Sequence, residues 1–176
     1  MTEDTELASL ASVTASFGSS ELCSLLIEND RLPPETIDLI IFAAMSRSFE
    51  ELSKQNAKAA LNPWVKMADS KNAVYRLLAL KAMGFVSSNG VHNEESPERE
   101  RVLEDSKLKF ALYQRMAADK NNLIAEEAVK KIGYCARYLP EAHSFLVSAA
   151  QETNPQLAKI ASEELLQLRQ YKLDHE

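Results

Sequence analysis

The chain has 176 residues and a formal net charge of −6, with 45% hydrophobic and 26% charged residues. These values lie near the average of globular domains, and four Gly and six Pro leave too few turns for an all-β fold. Ten acidic and four basic residues precede Pro63, so the N-terminal third carries the negative charge and disfavours binding to nucleic acid or anionic lipid. The abundance of Leu and Ala predicts an all-α globular protein.

The sequence carries no pattern for secretion or membrane insertion. The first residues, Met1 to Glu6, are acidic and lack the basic and apolar regions of a secretory signal. The most apolar run, residues 37–45, is about half of the ~20 residues that span a bilayer, and Asp38 interrupts it. We therefore expect a cytoplasmic protein without membrane contact, provided that no signal segment has been removed.

Apolar periodicity predicts about nine helices along the chain. Pro34 suits the first turn of a helix, Ser48 and Glu51 form a capping box at the start of the next helix, and Pro63 kinks or ends that helix. In chain order, the helices cover residues 5–15, 19–30, 34–47, 48–62, 71–87, 97–118, 121–138, 140–151 and 154–172, with a short helical piece that ends at Asp69.

The predicted helix over residues 71–87 is apolar on nearly every side. Its main stripe comprises Val74, Leu77, Leu78, Ala82 and Phe85. Such a helix is covered on more than one face, which predicts a central position in the domain. The polar segment 87–97 that follows is the one long linker, and we expect it to be a plain connection. Short turns join the later helices, so neighbours should run antiparallel.

One sequence pattern recurs along the chain. In residues 69–84 and 119–133, an acidic turn residue precedes a helix in which aliphatic and Ala positions follow one order and a Gly comes last. Residues 153–165 repeat the order of aliphatic and Ala positions but lack the Gly. Val74 and Ile124 each follow the turn Asp by five positions. Such self-similarity is typical of stacked helical hairpins, because each hairpin buries the same stripe against its neighbours.

The repeated pattern resembles the HEAT repeat, with a kinked first helix, an acidic turn and a second helix that carries an aliphatic and a basic residue. The matching residues are Pro63, Asp69, Val74 and Arg76 in the first copy and Asp119 and Ile124 in the second. In the family pattern, the basic residue directly follows the aliphatic one. Arg76 stands one position later than that, and in the second copy Ala125 stands directly after Ile124. The resemblance covers about residues 48–172. It implies a binding scaffold and carries over no catalytic residue.

The predicted architecture is a single helical-repeat domain over residues 1–176, a short α-solenoid of stacked antiparallel helix pairs. Its parts are an N-terminal helix pair (1–31), central repeats (32–86), the polar linker (87–97) and C-terminal repeats (98–176). The sequence leaves the oligomeric state open.

Motifs for metal, nucleotide or covalent chemistry do not occur in the sequence. His92, His143 and His175 have no Cys or His at metal-ligand spacing, and there is no glycine-rich phosphate loop. Cys23 and Cys135 lie among apolar residues of predicted helices, where we expect buried free thiols. We therefore predict no catalytic residue, no metal and no cofactor.

The candidate binding residues are basic positions expected to be exposed on the second helices, which line the concave face of such a stack. They are Arg76, Lys81, Lys130 and Arg137. Between residues 107 and 137, seven basic residues, Lys109 among them, outnumber three acidic ones. Tyr134 and Tyr138 lie beside Arg137, and this combination can bind phosphates and stack on bases.

These features together predict a non-enzymatic protein-binding module or scaffold, with a protein partner of unknown identity. Two alternatives stay open. One is a nucleic-acid-binding helical repeat that uses residues 107–137, although the acidity of the whole chain makes nucleic acid the less favoured ligand. The other is a subunit of an enzyme complex built on HEAT-like repeats.

Overall fold

The computed structural model describes residues 18–28, 32–53, 57–85 and 97–174. Within these ranges every regular element is an α-helix, there are eight of them, and no strand occurs. The predicted all-α class is therefore confirmed. The predicted helix over residues 5–15 and most of the polar linker lie outside the described residues.

The chain divides into two compact units, Met1–Val86 and Ser87–Glu176. The division falls at the start of the polar linker that the sequence indicates. Unit 1 contains α1 (Ser19–Glu28), α2 (Pro34–Ser53), α3 (Ala57–Ala68) and α4 (Ala73–Phe85). Unit 2 contains α5 (Pro97–Met116), α6 (Asn122–Cys135), α7 (Pro140–Ala149) and α8 (Pro155–Leu173).

In unit 1, α3 packs against all three other helices, and α1 also packs against α2. The core that they enclose is apolar. Its fully buried side chains include Leu22, Leu26, Ile40, Leu61, Trp64, Met67, Leu80 and Met83. Burial of this apolar surface is the main force that holds the four helices together.

The helix boundary predicted at Ser48 is wrong, because α2 continues through this residue to Ser53. Ser48 is fully buried, and its Oγ accepts a hydrogen bond of 2.9 Å from the indole Nε1 of Trp64. A buried indole N–H needs an acceptor, so Ser48 serves a tertiary contact instead of capping a helix. Pro63, predicted to kink or end its helix, does not end it, since α3 continues to Ala68, next to the predicted end of the helical piece at Asp69.

The buried face of α4 differs from the predicted stripe by one residue. Val74 is 58% exposed, and Leu77 and Leu78 are only half-buried. The buried stripe begins at Tyr75 and continues through Ala79, Leu80, Ala82 and Met83. The sequence alone could not separate the two stripes, because both faces of α4 are apolar.

The three segments that carry the recurring sequence pattern align on an asparagine cap, and not on the preceding Asp. The side-chain Oδ1 atoms of Asn72, Asn121 and Asn154 accept hydrogen bonds from backbone N–H groups two residues later, at 2.9 to 3.1 Å. Seven positions after each cap lies an Ala with no exposed surface, namely Ala79, Ala128 and Ala161. Gly84 and Gly133 each stand twelve positions after their cap. In this register Tyr75 corresponds to Ile124, so the predicted equivalence of Val74 and Ile124 is wrong.

In unit 2, consecutive helices pack against each other, and α6 also packs against α8. Gly133 allows α6 and α8 to approach closely, because a Cβ atom at this position would lie 3.1 Å from the Cβ of Glu164. Farther along, Arg137 lies against Tyr171. Residue numbers therefore increase in the same direction along both helices, so α6 and α8 run parallel.

Candidate functional site

The four predicted binding residues do not share one environment, and Arg76 is not exposed. Only 9% of its surface is accessible, and its Nη1 donates hydrogen bonds of 3.0 Å to the carbonyl oxygens of Ser70 and Lys71. Arg76 thus holds the turn between α3 and α4. The prediction of an exposed binding residue is wrong at this position, because the turn offers carbonyl acceptors that the guanidinium satisfies.

The other three predicted residues are exposed. Lys81 lies on α4 in unit 1, whereas Lys130 and Arg137 both belong to unit 2. Lys130 is on α6, and Arg137 is in the turn that follows α6. Lys130 and Arg137 are thus the two exposed residues of the predicted set that belong to the same unit.

Arg137 lies at the centre of a group of aromatic rings. Its guanidinium carbon is 4.5 Å from the ring centre of Tyr171 and 5.4 Å from that of Tyr134. The ring of Tyr138 packs edge-on against Tyr134, with centres 5.7 Å apart. The distances from the guanidinium carbon to the rings of Tyr171 and Tyr134 lie within the range of cation–π attraction. We call these four residues the Tyr–Arg cluster.

The Tyr–Arg cluster is accessible to a partner. Arg137 is exposed, and the three tyrosines are half-buried, so part of each side chain remains accessible. Within the described part of the chain, no carboxylate forms an ion pair with Arg137 or Lys130. The guanidinium of Arg137 lies near two rings and forms no close ion pair, although the Glu164 carboxyl interacts with it electrostatically, so the exposed side chain is accessible to a partner.

Burial and nearby charges shift the pKa of one tyrosine of the Tyr–Arg cluster and of one neighbouring carboxyl group. Burial, followed by the neighbouring Tyr134, raises the pKa of Tyr138 to about 12. Burial also raises the pKa of Glu164, against the opposing effect of Arg137 and Lys130. The Glu164 carboxyl thus interacts electrostatically with both exposed cations, Arg137 and Lys130.

The sequence indicated part of the Tyr–Arg cluster and missed one member. Tyr134 and Tyr138 stand beside Arg137 in the chain, and that proximity was the signal. Tyr171 comes from α8, and only the parallel packing of α6 and α8 brings it to Arg137. No local sequence pattern could have identified it.

The basic segment 107–137 does not present all its cations on the surface. Lys109 is 2% exposed and forms a 2.8 Å ion pair with Asp105, which has the same low exposure. Lys131 pairs with Glu127 at 3.5 Å. Lys109 therefore cannot contact an external phosphate, contrary to its place in the predicted basic segment.

Unit 2 also contains a buried polar cluster that the sequence analysis missed, formed by Asp105, Ser106 and Lys109 on α5. Asp105 Oδ1 and Ser106 Oγ have no hydrogen-bond partner among the described residues. Burial raises the pKa of Asp105, and Lys109 opposes this effect. The signal was present, because these residues fall on the same helical stripe as the buried Val102 and Met116.

Unit 1 contains an open groove of about 340 Å³ between α1, α2 and α3. Its charged lining residues have both signs, and Arg47 is held by Glu50 at 2.8 Å. Such a mixed and internally paired lining does not define one ligand chemistry.

The described residues support neither a metal site nor a nucleophilic thiol. No group of three or more potential metal ligands occurs among them. Cys23 and Cys135 are buried free thiols, as predicted, and burial raises the pKa of each to about 12. Because the thiolate is the reactive form, neither cysteine is activated for catalysis.

None of the described helices has the length and apolar character needed to cross a bilayer. Comparison of the sequence with models of known protein families gives no match, and comparison with curated proteins gives none. The function must therefore be argued from the residues themselves.

Proposed function

We propose that the protein is a non-enzymatic protein-binding module and that the Tyr–Arg cluster, together with Lys130, is its recognition surface. The observation that carries this proposal is the position of Arg137, exposed but held between the rings of Tyr134 and Tyr171. Tyr and Arg are enriched among the residues that dominate binding energy at protein interfaces. An Arg that is already oriented by rings loses less conformational entropy when a partner binds.

We also propose that the helices form a short HEAT-like solenoid of stacked antiparallel pairs. The shared asparagine caps and the buried Ala residues of α4, α6 and α8 support this arrangement. The close contact of α6 with α8, at Gly133, is of the kind expected between the second helices of successive pairs. In such an array the Tyr–Arg cluster lies on the row of second helices, where partner binding is expected.

The two alternative functions have less support. Lys109 cannot contribute to a nucleic-acid-binding surface over residues 107–137, because it belongs to the buried ion pair with Asp105. Lys131 in the same segment forms an ion pair with Glu127. For an enzyme subunit, Asp105 and Lys109 are the buried ion pair of unit 2, and their low exposure keeps them away from a substrate.

The proposal can be tested by quantitative affinity purification from the native host, with the tagged wild-type protein and three variants. We expect Arg137→Ala and Tyr171→Ala each to reduce recovery of the specific partner strongly. Lys107→Ala, which removes an exposed cation from α5, is the matched control and should recover as much partner as the wild type.

Arg137→Ala and Lys107→Ala should retain the wild-type melting temperature because both side chains are exposed, and Tyr171→Ala should lower it by only a few degrees because the ring is half-buried. If Arg137→Ala and Tyr171→Ala recover the partner as well as the wild type does, the Tyr–Arg cluster is not the recognition surface. Equal loss of partner in Lys107→Ala would show that net charge, and not this surface, determines binding.

A further inference from the structure

We infer that the exposed face of α2 in unit 1 binds a basic amphipathic helix of a second protein partner. On this face Phe42 and Phe49 contact the apolar residues of the partner helix, and the exposed acids Glu35 and Asp38 pair with its basic residues. The inference concerns a different unit of the chain from the Tyr–Arg cluster, so it goes beyond the proposed function and does not depend on it.

Two phenylalanines lie on the solvent-facing side of α2. Phe42 is 72% exposed, which makes it the most exposed large apolar side chain in the described part of the chain, and Phe49 is 45% exposed. They are seven residues apart within the helix Pro34–Ser53, so they share one face and lie about 10 Å apart along the axis. Covering these two rings removes a large apolar area from water, which favours binding of a partner with apolar side chains.

The exposed face of α2 has the residue spacing of a helix–helix contact. Glu35, Phe42 and Phe49 follow one another at intervals of seven residues, and Asp38 and the half-buried Met45 stand three residues after the first two. This is the spacing of the a and d positions through which two helices pack side by side. The buried residues of α2 lie on the opposite side. A partner helix can therefore pack along this face without disturbing the core of unit 1.

The charges on the exposed face of α2 select a basic occupant. Glu35 and Asp38 are exposed near the start of the helix, and neither forms an ion pair within the described ranges. Arg47, the basic residue of α2, is held by Glu50 at 2.8 Å. The face thus has an acidic end and an apolar end. Cations are most favourable near the C-terminal end of a helix, so an antiparallel partner places its Lys or Arg residues against the acidic end.

Charge also disfavours the other occupants of such a face. In a parallel pair of two copies of this chain, Glu35 and Asp38 would face the same acids, and in an antiparallel pair they would face the apolar rings. An anionic lipid surface is repelled by these two acids and by the excess of acidic residues before Pro63. A basic helix avoids each of these costs.

The test is a fluorescence anisotropy titration of the full-length protein with fluorescein-labelled helical peptides as long as α2. The probe peptide carries Leu at the a and d positions of its N-terminal half and Lys at those of its C-terminal half. One control peptide has Glu in place of these Lys residues, and the other has the composition of the probe with its Leu residues distributed around the helix. We expect the probe to bind, with an affinity that falls as salt is raised, and each control to bind at least roughly tenfold more weakly.

Variants assign the binding to the exposed face of α2. We expect Phe42→Ala to weaken binding of the probe by roughly tenfold or more, because the ring is an apolar anchor. Asp38→Asn should weaken it by about two- to fivefold, the range of an exposed ion pair. Leu166→Ala, which removes an exposed apolar side chain from α8, is the matched control and should leave the affinity unchanged, as should Arg137→Ala. All variants should retain the helical circular dichroism spectrum of the wild type.

Four results would overturn the inference: no binding of the probe, equal binding of either control peptide, no effect of Phe42→Ala, or an equal loss in Leu166→Ala. Loss of probe binding in Arg137→Ala would also overturn it, because the two surfaces would not be separate. Sedimentation equilibrium that shows dimers of the wild type but not of Phe42→Ala would assign the face to a second copy instead. Cosedimentation with anionic phospholipid vesicles that depends on Phe42 would assign it to a membrane.

Discussion

Arg76 illustrates how one side chain can exchange a predicted binding role for a structural one. Its guanidinium donates to two carbonyl oxygens of the turn between α3 and α4, and most of the side chain is buried. Sequence position alone indicated a basic residue on a second helix. It did not reveal the carbonyl acceptors, which exist only once the turn between the two helices has formed.

Arg76→Ala should therefore lower stability and not merely change the surface charge. We expect the free energy of unfolding in urea to fall by about 1–3 kcal/mol, since the variant loses buried hydrogen bonds of a charged donor. Lys81→Ala removes an exposed cation from the same helix and should change stability by less than about 0.5 kcal/mol. Equal stability of the two variants would contradict the structural role of Arg76.

The two cysteines should be resistant to alkylation in the folded protein. Burial raises the pKa of both Cys23 and Cys135 to about 12, so near pH 8 only about one thiol in ten thousand is ionised. Iodoacetamide should modify both rapidly in urea and neither in buffer, which mass spectrometry can measure. Fast modification of either cysteine in buffer would show that its thiol is accessible. The sequence predicted this burial correctly, because both residues lie among apolar neighbours.

At the scale of one helix, the ion pair within α5 shows a limit of periodicity arguments. Asp105 and Lys109 are one turn apart and charged, which is typical of an exposed stabilising pair. Their stripe is nevertheless the buried one, together with Val102 and Met116. A buried pair is weak evidence for stability, because desolvation of the two charges opposes their attraction.

A double-mutant cycle can measure this ion pair. Asp105→Leu and Lys109→Met should each lower the free energy of unfolding by about 3–5 kcal/mol, because each leaves one charge buried without its partner. The double variant should be far more stable than either single variant, since neither charge remains. If the two single effects simply add in the double variant, the two side chains do not form the buried pair.

The pH dependence of Lys109→Met provides a further check on the same helix. Burial raises the pKa of Asp105 above its ordinary value of 3.8, and the variant lacks the cation that opposes this rise. The folded state then binds the proton more tightly than the unfolded state, so stability is fully present below the ordinary pKa and is lost as pH rises through the raised one. Denaturation that shows no loss of stability with rising pH would contradict the burial of Asp105.

The alignment of the recurring sequence pattern is also a property of whole helices. Alignment on Asp69 and Asp119 equated Val74 with Ile124, but Val74 is exposed and Ile124 is buried. Alignment on the asparagine caps brings the buried Ala residues and both helical Gly residues into register. The hydrogen bonds that define each cap fix the start of the helix, whereas Asp119 accepts a hydrogen bond from the backbone N–H of Asn121, before the helix begins.

For the whole molecule, apolar periodicity predicted the class and most helix positions. The predicted helices over 97–118, 121–138, 140–151 and 154–172 differ from α5 to α8 by a few residues at most. The errors lie where a tertiary contact outweighs a local signal, as the bond from Trp64 does at Ser48. The sequence predicted only those members of the Tyr–Arg cluster that lie close together in the chain, namely Tyr134, Arg137 and Tyr138. Tyr171 belongs to it because two separate helices pack in parallel.

Hydrogen–deuterium exchange of the full-length protein with its purified partner tests the central claim most directly. We predict that binding slows exchange in residues 130–138 and 164–174, where the Tyr–Arg cluster and its supporting segments lie. Exchange in α2 and α4 of unit 1 should not change, and in Arg137→Ala the protection should be lost while free-state exchange stays the same. Protection confined to α2 or α4, with none in residues 130–138, would contradict the assignment of the recognition surface to the Tyr–Arg cluster.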